Sequence, residues 1–111
     1  MPEIETLQIK SYARSALHIY VIALRLEQLT LTRDQFLNAI QDAGIGVAVH
    51  YMALHLQPFY ARTYGLKPED FPVATSYSER IITLPLYPRM TEKDLERVAG
   101  TVTDLIKRHR R

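Results

Sequence analysis

The sequence predicts an α+β domain: a two-layer small domain with a small sheet of about three strands, antiparallel or mixed, packed against helices. Three observations predict it. Short runs rich in β-branched and aromatic residues alternate with runs of helical period. The longest amphipathic pattern, residues 91 to about 108, comes last and is not followed by another strand. At 111 residues the chain has room for one domain with one core.

Residues 1–14 show no sustained period, and Pro2 among mixed polar residues marks an extended lead-in to a domain over 15–111. The stretch 16–25 is rich in β-branched and aromatic side chains and predicts the first strand. Alternation puts Leu17, Ile19, Val21 and Ala23 on one face, with His18, Tyr20, Ile22 and Leu24 on the other. Both faces are largely apolar, so this strand calls for cover on each side. On that alternation His18 reads as a core histidine satisfied by one hydrogen bond.

A helix is predicted over 33–43. Thr32 caps it, and Gln35 completes a capping box. Phe36, Leu37, Ile40 and Ala43 form its apolar stripe. Gly44 stands where a left-handed residue closes a helix, with Ile45 as the hydrophobic contact that follows. Residues 46–51 read as the second strand. Pro58 opens and Gly65 closes a short helix, 66–71 reads as a loop, and Pro72 opens another helix to about residue 80.

Residues 81–86 predict the third strand. Pro85 has no N–H and confines that stretch to an edge or a strand end. In the final helix Thr91 caps, and Met90 with Leu95 fits a hydrophobic staple. Leu95, Val98, Val102, Leu105 and Ile106 make the stripe. Gly100 costs about 1 kcal/mol against alanine in a helix and reads as a point of close packing.

Composition narrows the function classes. There is no cysteine, which removes disulfides, thiolate nucleophiles and cysteine-based zinc sites together. No apolar run approaches the roughly 20 residues needed to span a bilayer. The start, Met-Pro-Glu-Ile-Glu, has no apolar signal-peptide core, so the expected compartment is the cytoplasm and no membrane partner is expected. The net charge is +2, yet Lys107, Arg108, Arg110 and Arg111 supply four of the 14 cations. Setting them aside leaves 10 cations against 12 carboxylates. A basic helix end complements the helix dipole, and His109 beside it reads as solvated. Nucleic-acid binding calls instead for a basic face interleaved with aromatics, and none is written here.

Chemistry concentrates in 44–60, where a strand exit and its loop carry two imidazoles and a phenol: His50, Tyr51 and His55. No carboxylate lies between the two histidines, so no metal site is expected. Four glycines cannot write a phosphate-binding loop, and no nucleophile elbow is present. Lys10, Lys67, Lys93 and Lys107 all sit in polar settings, whereas a Schiff-base lysine needs desolvation or a cationic neighbour. No catalytic residue is assigned.

Successive blocks resemble one family. They are 15–22 (Ser-Ala-Leu-His-Ile-Tyr-Val-Ile), 33–37 (Arg-Asp-Gln-Phe-Leu) and 44–51 (Gly-Ile-Gly-Val-Ala-Val-His-Tyr), then 54–60, 70–74 and 84–88. The chain is similar to the C-terminal small domain of pyridoxal-phosphate-dependent sugar aminotransferases of the DegT/StrS type, which are fold-type I enzymes. The match is clearest from about Ser15 onward. Val47-Ala48 departs from it, since the family often has Thr-Gly there.

The resemblance implies a homodimeric parent enzyme whose large domain, absent here, holds pyridoxal phosphate on a lysine. It implies a nucleotide-linked keto-sugar as acceptor and an amino donor, commonly glutamate. It places His50, Tyr51 and His55 on the substrate side of the cleft, with no cofactor held by this part alone. A free-standing regulatory or interaction module that senses a small ligand is the alternative left by the residues themselves.

Overall fold

The computed structural model describes residues 1–111. Its centre is a three-stranded antiparallel sheet of β1 (Ile4–Thr6), β2 (Tyr20–Leu24) and β3 (Ile81–Leu84), in that spatial order. Four α-helices accompany it: α1 (Arg33–Asp42), α2 (Pro58–Tyr64), α3 (Pro72–Arg80) and α4 (Glu92–His109). The α+β architecture is the expected one. The lead-in does more than extend, because Ile4 pairs with Leu24 and Thr6 with Ile22.

Register decides the core. Ile22 lies opposite Ile82, so these two and Leu24 share one face, and all three are buried. Phe36 and Ile40 of α1 and Val102 and Ile106 of α4 close over that face, with Leu29, Ile45 and Val47 filling the margins. On the other face Ala23 is also buried, and α3 lies across it, Tyr77 and Arg80 reaching Glu5 of β1. The two-sided cover that β2 demanded is therefore present in part. An open depression of about 610 Å³ remains beside Leu7, Val21, Tyr77 and Ile81.

The helix ends follow their local chemistry. Thr32 Oγ1 accepts from the Gln35 N–H at 3.3 Å, while Gln35 Oε1 accepts from the Thr32 N–H at 2.9 Å. Gly44 has φ +75°, a conformation open to glycine, and the turn it makes drops Ile45 into the core. Gly65 ends α2 in the same way at φ +64°. At α4 the Thr91 N–H donates to Asp94 Oδ2 at 2.8 Å, and Thr91 Oγ1 accepts from the Asp94 N–H at 3.2 Å.

The strand expected over 46–51 is reduced to a single rung, Ala48 against Thr83 on the outer side of β3. Antiparallel pairing continues only if the flanking residues keep free backbone groups. Two residues along, Pro85 has no N–H to give. In the other direction the Ile81 N–H is already donated to the Tyr77 carbonyl, and the Ile81 carbonyl accepts from Arg33. Both extensions of the ladder are blocked.

Four further expectations are corrected. Leu95 is 53% exposed, because α4 meets the core only from Val98 onward. Ala43 is exposed as the C-cap of α1. Gly100 is not a close contact, since a Cβ there would meet nothing within 4 Å. The basic end of α4 is partly consumed within the fold: Arg110 pairs with Glu3, Arg111 Nε donates to the Leu29 carbonyl at 2.8 Å, and the His109 carbonyl accepts from the Thr30 N–H at 2.8 Å. His109 is accordingly half-buried rather than solvated.

Candidate functional site

Two anchors fix the approach to His50. Gln41 Nε2 donates to the Val47 carbonyl at 3.2 Å, and the Ala48–Thr83 rung holds the next residue, with bonds of 2.8 and 3.3 Å. Beyond the rung His50 is half-buried, and its Nδ1 is enclosed without a hydrogen-bond partner. The peptide joining His50 to Tyr51 is cis. The Tyr51 ring stands edge-on to the imidazole at 4.8 Å and is 73% exposed. These two neighbours thus present one enclosed and one fully offered polar group.

His55 is placed differently. The sequence places it on the loop beyond a strand exit, yet it is only 6% exposed. Its Nε2 lies 2.7 Å from Thr75 Oγ1, which in turn donates to the Pro68 carbonyl at 2.8 Å, and its ring packs against Phe71 at 4.9 Å. The Ala53 N–H donates to Ser78 Oγ at 3.0 Å and ties the preceding residues to α3. This short single-turn 3₁₀ segment, Leu54–Leu56, is buttressed from below by α3.

His18, expected in the core, is instead exposed. The regular ladder starts only at Tyr20, and Leu17 carries φ +50°, so the alternation that would have buried His18 does not reach it. It lines a shallow groove of about 310 Å³ together with Ile19, Val47, His50, Thr83 and Pro85. Thr83 is 7% exposed, and its hydroxyl has no hydrogen-bond partner. Sequence reasoning gave Thr83 no role, because a threonine inside a predicted strand is what β propensity alone selects.

No group of histidines and carboxylates suited to a metal ion is assembled, and no helix is long and apolar enough to cross a membrane. Lys10, Lys67, Lys93 and Lys107 are all exposed. None has the desolvated setting that a covalently attached pyridoxal phosphate requires of its lysine.

The chain belongs to the DegT/DnrJ/EryC1/StrS aminotransferase family, whose pattern it matches over residues 1–103. The match thus includes the first fourteen residues, in keeping with the strand they contribute. Protein MJ1066 of Methanocaldococcus jannaschii is 37% identical over 102 residues, 92% of this chain and 26% of that protein. The spore coat polysaccharide biosynthesis protein SpsC of Bacillus subtilis is 37% identical over 95 residues, 85% of this chain and 24% of SpsC.

Among solved structures, Spr1654 of Streptococcus pneumoniae, assigned as a sugar aminotransferase and solved in its PMP-form, superposes with a TM-score of 0.83 at 25% identity. That alignment covers 96% of this chain and 26% of Spr1654. A DegT DnrJ EryC1 StrS aminotransferase from Brucella abortus gives a TM-score of 0.74 at 28% identity, covering 93% of this chain and 26% of the other. The chain spans about a quarter of the length of the relatives it matches.

Proposed function

We propose that this chain is the C-terminal small domain of a pyridoxal-phosphate-dependent nucleotide-sugar aminotransferase, forming the substrate-side wall of the active-site cleft. The observation that carries the reading is the match over residues 1–103 to an aminotransferase family whose curated relatives are about three and a half times as long. The exposed lysines agree with a cofactor site in the remaining three-quarters. His50 and Tyr51 are the residues proposed to meet the sugar or its phosphates, orienting the substrate rather than transforming it. His55 holds the loop that presents them.

The whole enzyme transfers an amino group from a donor such as glutamate to a keto-sugar carried on a nucleotide, as a cytoplasmic homodimer. Pyridoxal phosphate, when bound by the large domain, supplies the chemistry that carries the amino group. The test joins this chain to the large domain of a relative such as SpsC, fused or co-expressed. Cofactor absorbance is expected of the joined protein and not of this chain alone, and keto-sugar amination of the joined protein only. Amination by the 111-residue chain alone, or covalent capture of pyridoxal phosphate by one of its four lysines, overturns the reading.

A further inference from the structure

We propose that the uncovered part of the second sheet face, the depression bounded by β1, β2 and α3, receives apolar side chains from the large domain of the parent enzyme. The proposal rests on the reading above for the existence of that domain and goes beyond it in naming the surface. Register defines the face. Glu5 lies opposite Ala23, Ala23 opposite Ile81 and Val21 opposite Thr83, so these side chains point away from the core that α1 and α4 cover. Beneath α3 Ala23 is buried, but Val21 and Ile81 stay half-buried. At the margins Leu7 is 66% exposed and Tyr77 44%.

The lining selects the occupant. It is mainly apolar, and its two charged members, Glu5 and Arg25, are paired with each other at 3.2 Å. Their charges cancel, so the lining has no net charge with which to draw a phosphate or a carboxylate. A small-molecule pocket encloses most of its ligand, whereas this depression of about 610 Å³ is open. An exposed apolar surface on a sheet calls instead for another layer of protein. The chain has no further element to supply one, since α1 and α4 are committed to the opposite face. The match takes up only 26% of MJ1066 and 24% of SpsC, so about three-quarters of such a protein lies outside it. That remainder is the occupant assigned here.

The chain has no cysteine, so one introduced thiol reports on one place. Leu7→Cys and Tyr77→Cys are made in the 111-residue chain, which is labelled with a maleimide alone and when co-expressed with the large domain of SpsC. Peptide mass analysis reads the rate at each position. Both side chains are exposed in the free chain, so neither substitution removes a core contact. Leu95→Cys, also exposed but on α4 at the opposite face, is the control. Labelling at 7 and 77 is expected to be about tenfold slower with the large domain present, with 95 unchanged. Equal rates at 7 and 77 with and without that domain overturn the docking surface. So does equal slowing at 95, which removes the assignment to this face. Slowing in the free chain as its own concentration rises gives the depression to a second copy and overturns the assignment too. The two readings fail separately. Keto-sugar amination with positions 7 and 77 fully reactive removes this surface alone, whereas protection without amination removes only the aminotransferase reading.

Discussion

Arg110, the penultimate residue, is paired through its guanidinium with the carboxylate of Glu3, the third residue from the other end of the chain. The pair is lopsided: Glu3 is 1% exposed, while the Arg110 side chain is about half exposed. The second carboxylate oxygen of Glu3 is enclosed and has no partner. Beside it, the Arg25 N–H donates to the Glu3 carbonyl at 2.8 Å and fixes the start of β1 against β2.

Replacing Arg110 by alanine is expected to destabilise the fold by about 2 kcal/mol. Breaking a buried pair costs about 3–5 kcal/mol, and solvent around the arginine reduces that figure. Urea unfolding checks it. The double variant Arg110→Ala, Glu3→Gln should lose less than the single one, because no uncompensated charge is then left inside. Equal midpoints for Arg110→Ala and the parent chain would show that the pairing contributes nothing.

The first turn of α4 is expected to loosen in acid. Hydrogen bonds from the Thr91 side chain and then the Thr91 backbone, with a smaller contribution from the Arg97 charge, hold the Asp94 carboxyl below its ordinary value of 3.8. A depressed carboxyl stabilises the fold above its unfolded value and gives that stability up as the pH falls through the folded one. The loss therefore lies below about pH 3.8. Following amide signals of residues 91–95 through an acid titration reads it directly. Asp94→Asn should flatten that part of the profile; a profile identical to the parent's would refute the assignment.

Gly100→Ala is expected to stabilise the chain by about 1 kcal/mol, a rise of about 5 °C in Tm, since the position is helical and a Cβ there meets open space. Thermal unfolding measures it. A fall in Tm would mean that this face of α4 is occupied in solution.

Thr75→Val removes the hydroxyl that links His55 to the Pro68 carbonyl and is expected to cost about 1–2 kcal/mol. Hydrogen exchange should speed up in residues 66–71, where the loop loses its tie. An unchanged exchange rate there would assign the imidazole no supporting role.

What could be read from the sequence was mostly what neighbouring residues decide among themselves. Thr32 with Gln35, Gly44, Gly65 and Thr91 act across three or four positions, and each stands where it was expected. The apolar stripe of α1 as far as Ile40 and the later half of the α4 stripe were equally visible. Distant competition was not. Whether 46–51 forms a strand depends on Arg33 and Tyr77 having already claimed the backbone of Ile81. In the candidate site His50 and Tyr51 were singled out by their place at a strand exit. His18 was misplaced by an alternation that begins two residues later, and Thr83 carries no local mark.

The lone rung between Ala48 and Thr83 also bears on solubility. A bare outer strand is a template on which a second chain can add itself, and proteins commonly shield such strands. Here a loop lies along the exposed flank of β3, and Pro85 withholds the next donor. The opposite margin of the sheet is only the three residues of β1. Both margins are poor templates for stacking chain on chain, so this small sheet resists growing into a fibril.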